Sequence, residues 1–194
     1  MRVLFIGNSY TYFNGLPDVF KRICLENGIA AEVDSVTAGG YTLAHFVSEN
    51  NPYGIQVREK CASAAYDYAV LQEQSTRPAV SPQTFYKYLR LLLPTVRSSG
   101  ALPVLYETWG RADGSDVLLK HHWTHEQMQK KLRAAYEKAG AEHGIPVAHA
   151  GDRFSEAYRA GVGVFDPDGS HPSPAGTEIA AREIFQTILS HSKS

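Results

Sequence analysis

Short apolar runs alternate with amphipathic segments along the whole chain. The runs contain many β-branched residues and end at glycines, prolines or polar turns, which is typical of strands buried on both faces of a parallel sheet. They predict five strands, over residues 3–6, 29–36, 66–71, 102–109 and 146–149.

The segments between these runs place apolar residues three or four positions apart, the spacing of one helix face. They predict helices over 16–24, two short stretches between 43 and 65, 82–98, a longer segment ending near 143, a stretch around 154–158, and 175–189. Strands that alternate with helices require right-handed crossovers and a sheet covered on both faces. The predicted fold class is therefore a three-layer α/β/α domain over residues 1–190, followed by a frayed tail at 191–194.

Composition excludes several classes of function. The formal net charge is −1, so the chain lacks the basic field that a nucleic-acid-binding protein needs. No apolar run is long enough to cross a bilayer, and the first residues do not resemble a leader. We expect a cytoplasmic protein, or a secreted or periplasmic one if a leader has been removed. Cys24 and Cys61 have no CxxC spacing and are expected to be reduced thiols.

The first strand ends in the turn Gly7-Asn8-Ser9-Tyr10-Thr11. Glycine allows unusual backbone angles, and Asn, Ser and Thr favour turns and helix caps. Ser9 therefore follows the carboxyl end of a central strand, where open α/β sheets place their chemistry. The alternative is that Ser9 only caps the next helix.

A second motif, Asp168-Gly169-Ser170-His171-Pro172, precedes the last helix. An Asp and a His three residues apart can share one tight turn, in which the carboxylate accepts the Nδ1 proton and leaves Nε2 facing outward. A serine nucleophile needs that arrangement. The alternative is a surface loop whose polar side chains cap the last helix.

Together, Gly7-Asn8-Ser9, Gly40 and Asp168-x-x-His171 resemble the conserved blocks of the SGNH hydrolases, also called GDSL-type esterases and lipases. The chain looks most like a bacterial branch with Gly-Asn-Ser-Tyr-Thr, Leu-Gln-Glu-Gln-Ser and Thr-Trp-Gly-Arg at these positions. The resemblance implies a flavodoxin-like sheet of about five parallel strands. It also implies that Ser9 is the nucleophile, His171 the base and Asp168 its orienting partner.

The oxyanion hole of this family combines the backbone N–H of the serine, the backbone N–H of a glycine, and an asparagine side chain after the third strand. Ser9 and Gly40 match the first two, with Gly39 as the less favoured glycine. The asparagine is missing, so the resemblance assigns its role to Gln74, with Gln72 as the alternative. A second departure is Asn8, which replaces the usual aspartate.

The expected function is hydrolysis of a small acyl ester without a metal or organic cofactor, and the favoured ester is an O-acetyl group on a carbohydrate. Candidate substrate contacts are Gln72, Trp109 as a stacking wall and Arg111 as a carboxylate ligand, although a core Trp and solvated charges are equally compatible. A lipase or thioesterase for longer acyl chains, or a non-catalytic carbohydrate-binding protein, remains an alternative.

The histidines of the sequence His121-His122-Trp123-Thr124-His125 are not expected to bind a metal. The oligomeric state is not predicted.

Overall fold

The computed structural model describes residues 1–192 and contains a sheet of five parallel strands in the order β2-β1-β3-β4-β5. Adjacent strands pair in parallel throughout, and Ile6 at the centre lies opposite Val36 and Leu71. This is the flavodoxin-like order, which places the carboxyl ends of all strands at one edge of the sheet, called here the carboxyl edge. The strands are β1 (Arg2–Gly7), β2 (Glu32–Thr37), β3 (Tyr68–Leu71), β4 (Leu102–Tyr106) and β5 (Val147–Ala148).

Helices cover both faces of the sheet, as the alternation predicted. They are α1 (Ser9–Tyr12), α2 (Leu16–Glu26), α3 (Leu43–Val47), α4 (Pro52–Ser63), α5 (Arg77–Val80), α6 (Pro82–Ser98), α7 (Asp116–His121), α8 (His125–His143), α9 (Ala150–Arg159) and α10 (Pro174–Ser190), with a 3₁₀ turn at Phe13–Gly15. Along β1, Val3 and Phe5 pack with α2, α9 and α10, whereas Leu4 and Ile6 pack with α4, α6 and α8. Successive side chains of a strand point to opposite faces, which explains this division. The three-layer α/β prediction is confirmed.

The structure differs from the sequence prediction in several places. β2 begins at Glu32 and not at residue 29, β3 begins at Tyr68 and not at residue 66, β5 is limited to Val147–Ala148, and the helix predicted around 154–158 extends over Ala150–Arg159. The expected single helix before residue 143 is two helices, because His122 adopts a left-handed conformation and Thr124 starts a new helix with a capping box. β4 ends at Tyr106 and not at residue 109, because its ladder with β3 ends at Leu105 and its ladder with β5 ends at Tyr106. The polar run after β3 contains the short helix α5, which apolar spacing did not indicate.

α10 ends at Ser190 and is followed by a turn at His191. The predicted frayed tail therefore lies in part outside the described residues, at 193 and 194. Across residues 1–192, no helix combines the length and apolar character that crossing a membrane requires.

Candidate active site

Ser9 is positioned by a tight turn at the carboxyl end of β1. A Cβ atom at Gly7 would lie 2.2 Å from Thr11 Oγ1 and 2.6 Å from Gln72 Oε1, so only glycine fits there. Gln72 Oε1 accepts hydrogen bonds from the Asn8 amide and the Thr11 hydroxyl, both at 2.8 Å. Asn8 caps α1, and Ser9 is its first residue. The turn therefore holds the Ser9 hydroxyl at the carboxyl edge of the sheet.

Asp168 and His171 share one turn before α10. Asp168 Oδ1 accepts hydrogen bonds from the amides of Ser170 and His171, at 2.9 and 2.8 Å. Its other oxygen, Oδ2, lies 2.5 Å from His171 Nδ1. Burial raises the pKa of Asp168, but the hydrogen bonds from His171 and Ser170 outweigh it, and the pKa lies below its ordinary value. The carboxylate is therefore ionised at neutral pH and faces the imidazole.

The first turn and the last loop meet at His171. Its Nε2 lies 2.8 Å from Ser9 Oγ, although 162 residues separate the two in sequence. The imidazole stacks on Phe13 with ring centres 4.4 Å apart, and the Tyr10 ring contacts it edge-on at 5.5 Å. These two aromatic rings restrict the orientation of the imidazole. The structure thus brings together Ser9, His171 and Asp168 in the geometry of a Ser-His-Asp triad.

Asn14 connects the same two segments. It adopts a left-handed conformation, with φ of 52°, and its Nδ2 donates to Pro172 O at 2.8 Å and to Thr177 Oγ1 at 2.9 Å. Sequence reasoning missed this residue. The signal was the pair Asn14-Gly15, since Asn and Gly tolerate left-handed angles better than other residues.

Gly40 lies in the loop after β2 and is held near the Ser9 turn by Asn8. Asn8 Nδ2 donates to the carbonyl of Tyr41 at 2.9 Å, and Asn8 Oδ1 accepts from the amide of Tyr10 at 3.2 Å. Gly40 is exposed and has φ of +72°, a conformation that favours glycine. An aspartate at position 8 has no proton to donate to the carbonyl, which explains the asparagine in this chain.

Gln74 presents a free amide nitrogen at the same edge. Its Oε1 accepts hydrogen bonds from the amides of Thr76 and Arg77, at 3.0 and 3.1 Å, and from the Thr76 hydroxyl. Backbone amides can only donate, so they fix which end of the side chain is the oxygen. Nε2 then points elsewhere and forms no hydrogen bond within the described part of the chain.

Glu73 joins the Gly40 loop to Gln74. It is completely buried, and its Oε1 accepts from the amides of Leu43, at 3.2 Å, and Gln74, at 2.6 Å. Its Oε2 is buried without a partner. Burial raises the pKa of Glu73 to about 7, against the opposing effects of these amides and of Arg77. Sequence reasoning did not assign this residue a role, because its position between two glutamines gives no sign of burial.

Two predicted substrate contacts lie in the interior. Gln72 is completely buried, and its Nε2 donates to the carbonyl of Glu73, so it offers no donor to an oxyanion or substrate. Trp109 is also completely buried. It stacks between Tyr10 and Phe154, with ring centres at 4.7 and 4.1 Å, and its Nε1 donates to Ser170 O at 3.0 Å. The expectation of a substrate contact is therefore wrong for Gln72, and for Trp109 the burial supports the alternative of a core Trp. Both side chains support the turns above them.

Arg111 remains half-buried at the carboxyl edge. Its Nη2 donates to Ser75 Oγ at 2.9 Å, and its guanidinium carbon lies 5.4 Å from the centre of the Tyr10 ring. This residue is therefore the one candidate substrate contact of the three that retains access to solvent.

One group among the described residues has the composition of a metal site, namely Glu107, His149 and Asp152. Its oxygens are already used. Glu107 accepts from Gln129 Nε2 and from His149 Nδ1, both at 2.6 Å, and Asp152 accepts from Gln129 and pairs with Arg133. The positive charge of the Arg133 guanidinium also disfavours a metal cation at this position. These contacts describe an internal polar cluster that joins β4, α8 and α9.

His121, His122 and His125 do not converge on a common site. His121 stacks on Trp123, His122 is exposed, and His125 is buried with its ring nitrogens bonded to Arg111 O and Ser155 Oγ.

A flavodoxin-like sheet with a serine after β1 and an Asp-x-x-His turn before the last helix defines the class of ester hydrolases that the sequence resembles. Comparisons agree with this class. A solved protein from Slackia heliotrinireducens, assigned to the SGNH hydrolases, is 32% identical, with 97% of this chain and 98% of that chain covered and a TM-score of 0.86. This chain belongs to the SGNH hydrolases, and its class of activity is ester hydrolysis.

More distant structures share the fold. A lipase/acylhydrolase from Enterococcus faecalis is 18% identical over 100% of this chain and 98% of its own, with a TM-score of 0.73. An acetyl xylan esterase is 12% identical over 97% of this chain and 100% of its own, with a TM-score of 0.70. No family model matches the chain, and a search of curated proteins gives no match.

Proposed function

We propose that this protein is a serine esterase that removes small acyl groups, with Ser9 as nucleophile, His171 as general base and Asp168 as its orienting partner. The observation that carries the proposal is the 2.8 Å contact between Ser9 Oγ and His171 Nε2. The contact between Asp168 and Nδ1 favours the tautomer in which Nδ1 is protonated. Nε2 is then the acceptor that a serine hydroxyl needs.

The reaction begins when Ser9 Oγ attacks the acyl carbon and passes its proton to His171 Nε2. The oxygen of the tetrahedral intermediate takes its hydrogen bonds from the amides of Ser9 and Gly40 and from Gln74 Nε2. His171 then protonates the departing alkoxide, and the acyl group stays on Ser9. Water attacks this acyl-enzyme by the same route and releases the acid.

The proposed substrate is an O-acetyl ester of a carbohydrate. An acetyl xylan esterase is among the proteins that share this fold. The aromatic side chains beside Ser9 support a short acyl group, because Tyr10 packs on Trp109, and Phe13 packs on His171. The ring faces in these contacts are therefore not available to line a channel for a long acyl chain.

The test is hydrolysis of 4-nitrophenyl acetate and 4-nitrophenyl octanoate, together with acetate release from acetylated xylo-oligosaccharides. We expect the acetyl esters to be preferred, and Ser9→Ala and His171→Ala to lower kcat by at least about a thousandfold. Ser98→Ala is the matched control, because Ser98 is exposed at the end of α6. Undiminished turnover by Ser9→Ala would refute the mechanism, and a preference for octanoate would refute the small acyl group.

A further inference from the structure

Arg111 carries a positive charge without an acidic partner. It lies in the loop after β4, and it forms no ion pair with any of the acidic residues in the described part of the chain. Arg133 and Arg153 differ, since each forms two ion pairs. A half-buried guanidinium without a counter-ion is unfavourable for stability, and an anion that binds from solution relieves this cost.

The guanidinium group is held in place by neutral neighbours. Nη2 donates to the hydroxyl of Ser75, a residue that is 2% exposed, and the group lies over the ring of Tyr10. Its Nε is buried and has no hydrogen-bond partner. These contacts fix the position of the charge but do not neutralise it. A fixed guanidinium without a negative partner is suited to bind an anion.

The charge lies close to the proposed triad. Tyr10 directly follows Ser9, and its ring centre is 5.5 Å from the His171 ring and 5.4 Å from the Arg111 guanidinium carbon. The imidazole and the guanidinium therefore both lie within 5.5 Å of the centre of the Tyr10 ring. A single sugar ring with two substituents spans the gap between the two groups.

The acid of the triad does not neutralise Arg111. Asp168 Oδ1 accepts two backbone amides, and Oδ2 faces His171. The Asp168 carboxylate therefore interacts with the imidazole and not with Arg111, and the charge of Arg111 remains available to a substrate.

We propose that Arg111 binds a carboxylate on the substrate, and that the preferred substrates are acetyl esters of sugar acids, in which one ring carries both groups. This rests on the proposed esterase function, which supplies the attack on the acetyl group. Arginine is suited to the role because its planar guanidinium forms charge-assisted hydrogen bonds with both oxygens of a carboxylate.

The experiment compares an O-acetylated glucuronic acid with its methyl ester, which has the same acetyl groups but no charge. Acetate release gives kcat/KM for wild type, Arg111→Met and Arg111→Lys. Wild type is expected to prefer the acid by about tenfold or more, since a hydrogen bond to a charged group has this effect. The ratio of kcat/KM for the acid to kcat/KM for the methyl ester should fall to about one in Arg111→Met and be partly retained in Arg111→Lys. In wild type this ratio should decrease as salt is added.

Arg97→Met is the control, because Arg97 is exposed, contacts a carbonyl of His143 and also lacks an ion pair with the described acidic residues. It should keep the wild-type preference. The proposal is overturned if wild type cleaves both substrates equally, a result that does not depend on the folding of any variant. It is also overturned if Arg111→Met slows both substrates by the same factor, as a structural role requires. Failure of the esterase function is a separate result, seen as acetate release that persists in Ser9→Ala.

Discussion

Glu73 is a buried carboxyl group whose ionisation opposes folding. It is completely buried, one of its oxygens has no partner, and burial raises its pKa from 4.5 to about 7. Glu73→Gln keeps an oxygen that accepts from Leu43 and Gln74 but removes the titrating proton. We predict that this substitution makes the stability of the protein less sensitive to pH.

The sign follows from proton binding. Between pH 4.5 and about 7 the folded state holds a proton on Glu73 that the unfolded state has lost, so wild-type stability falls as pH rises through this window. The two pKa values correspond to a change of up to about 3 kcal/mol. Below pH 4.5 this contribution is absent, because the carboxyl is protonated in both states. Glu73→Gln should therefore gain stability relative to wild type across the window, whatever fixed cost the buried amide adds.

The measurement is the free energy of unfolding in urea at several pH values, for wild type, Glu73→Gln and Glu59→Gln. Glu59 is exposed on α4 and forms no ion pair with the described residues, so its variant should follow the wild-type curve. A difference between Glu73→Gln and wild type that is constant from pH 4.5 to 7.5 would contradict the reasoning. It would mean that Glu73 is ionised in the folded protein over the whole range.

Two further predictions concern the oxyanion hole and the junction of the two turns. Gln74→Glu keeps the oxygen that accepts from the amides of Thr76 and Arg77 but loses the donor, so kcat should fall by about 100- to 1,000-fold with little change in KM. An unaltered kcat would place the donor elsewhere. Asn14→Asp keeps the shape and the tolerance of left-handed angles but cannot donate to Pro172. It should therefore lower kcat, and it should lower the free energy of unfolding by about 1–2 kcal/mol. Equal urea midpoints for Asn14→Asp and wild type would reject the loss of stability.

Much of the fold could be predicted from the sequence, because the elements depend on local patterns. The helix over 82–98 was predicted with its observed bounds, since a proline marks its start and a glycine its end. The two helices before residue 143 were merged because the break depends on one left-handed histidine, His122. Apolar spacing does not indicate such a backbone angle. The capping pair Thr124 and Gln127 does indicate that a new helix starts there.

The residues of the candidate site could likewise be predicted only where they depend on a local pattern. The Asp168 turn is local, and the spacing of its two side chains is visible in the sequence. The two interpretations of Trp109 could not be separated, because strand ends and substrate walls both contain aromatic residues and only packing distinguishes them. Asn14 was missed since its partners lie far away in the chain, and Glu73 was missed since its position between two glutamines gives no sign of burial.

The departures from the family pattern compensate one another in space. Asn8 donates to the Tyr41 carbonyl and so holds the Gly40 loop against the Ser9 turn. Gln72 fixes the same turn from below, and Glu73 ties α3, which follows the Gly40 loop, to the Gln74 amide. All three proposed oxyanion donors are thus linked through buried side chains at positions 8, 72 and 73. A glutamine has more rotatable bonds than asparagine, so a rigid framework of this kind is what allows Gln74 to present its amide in one place.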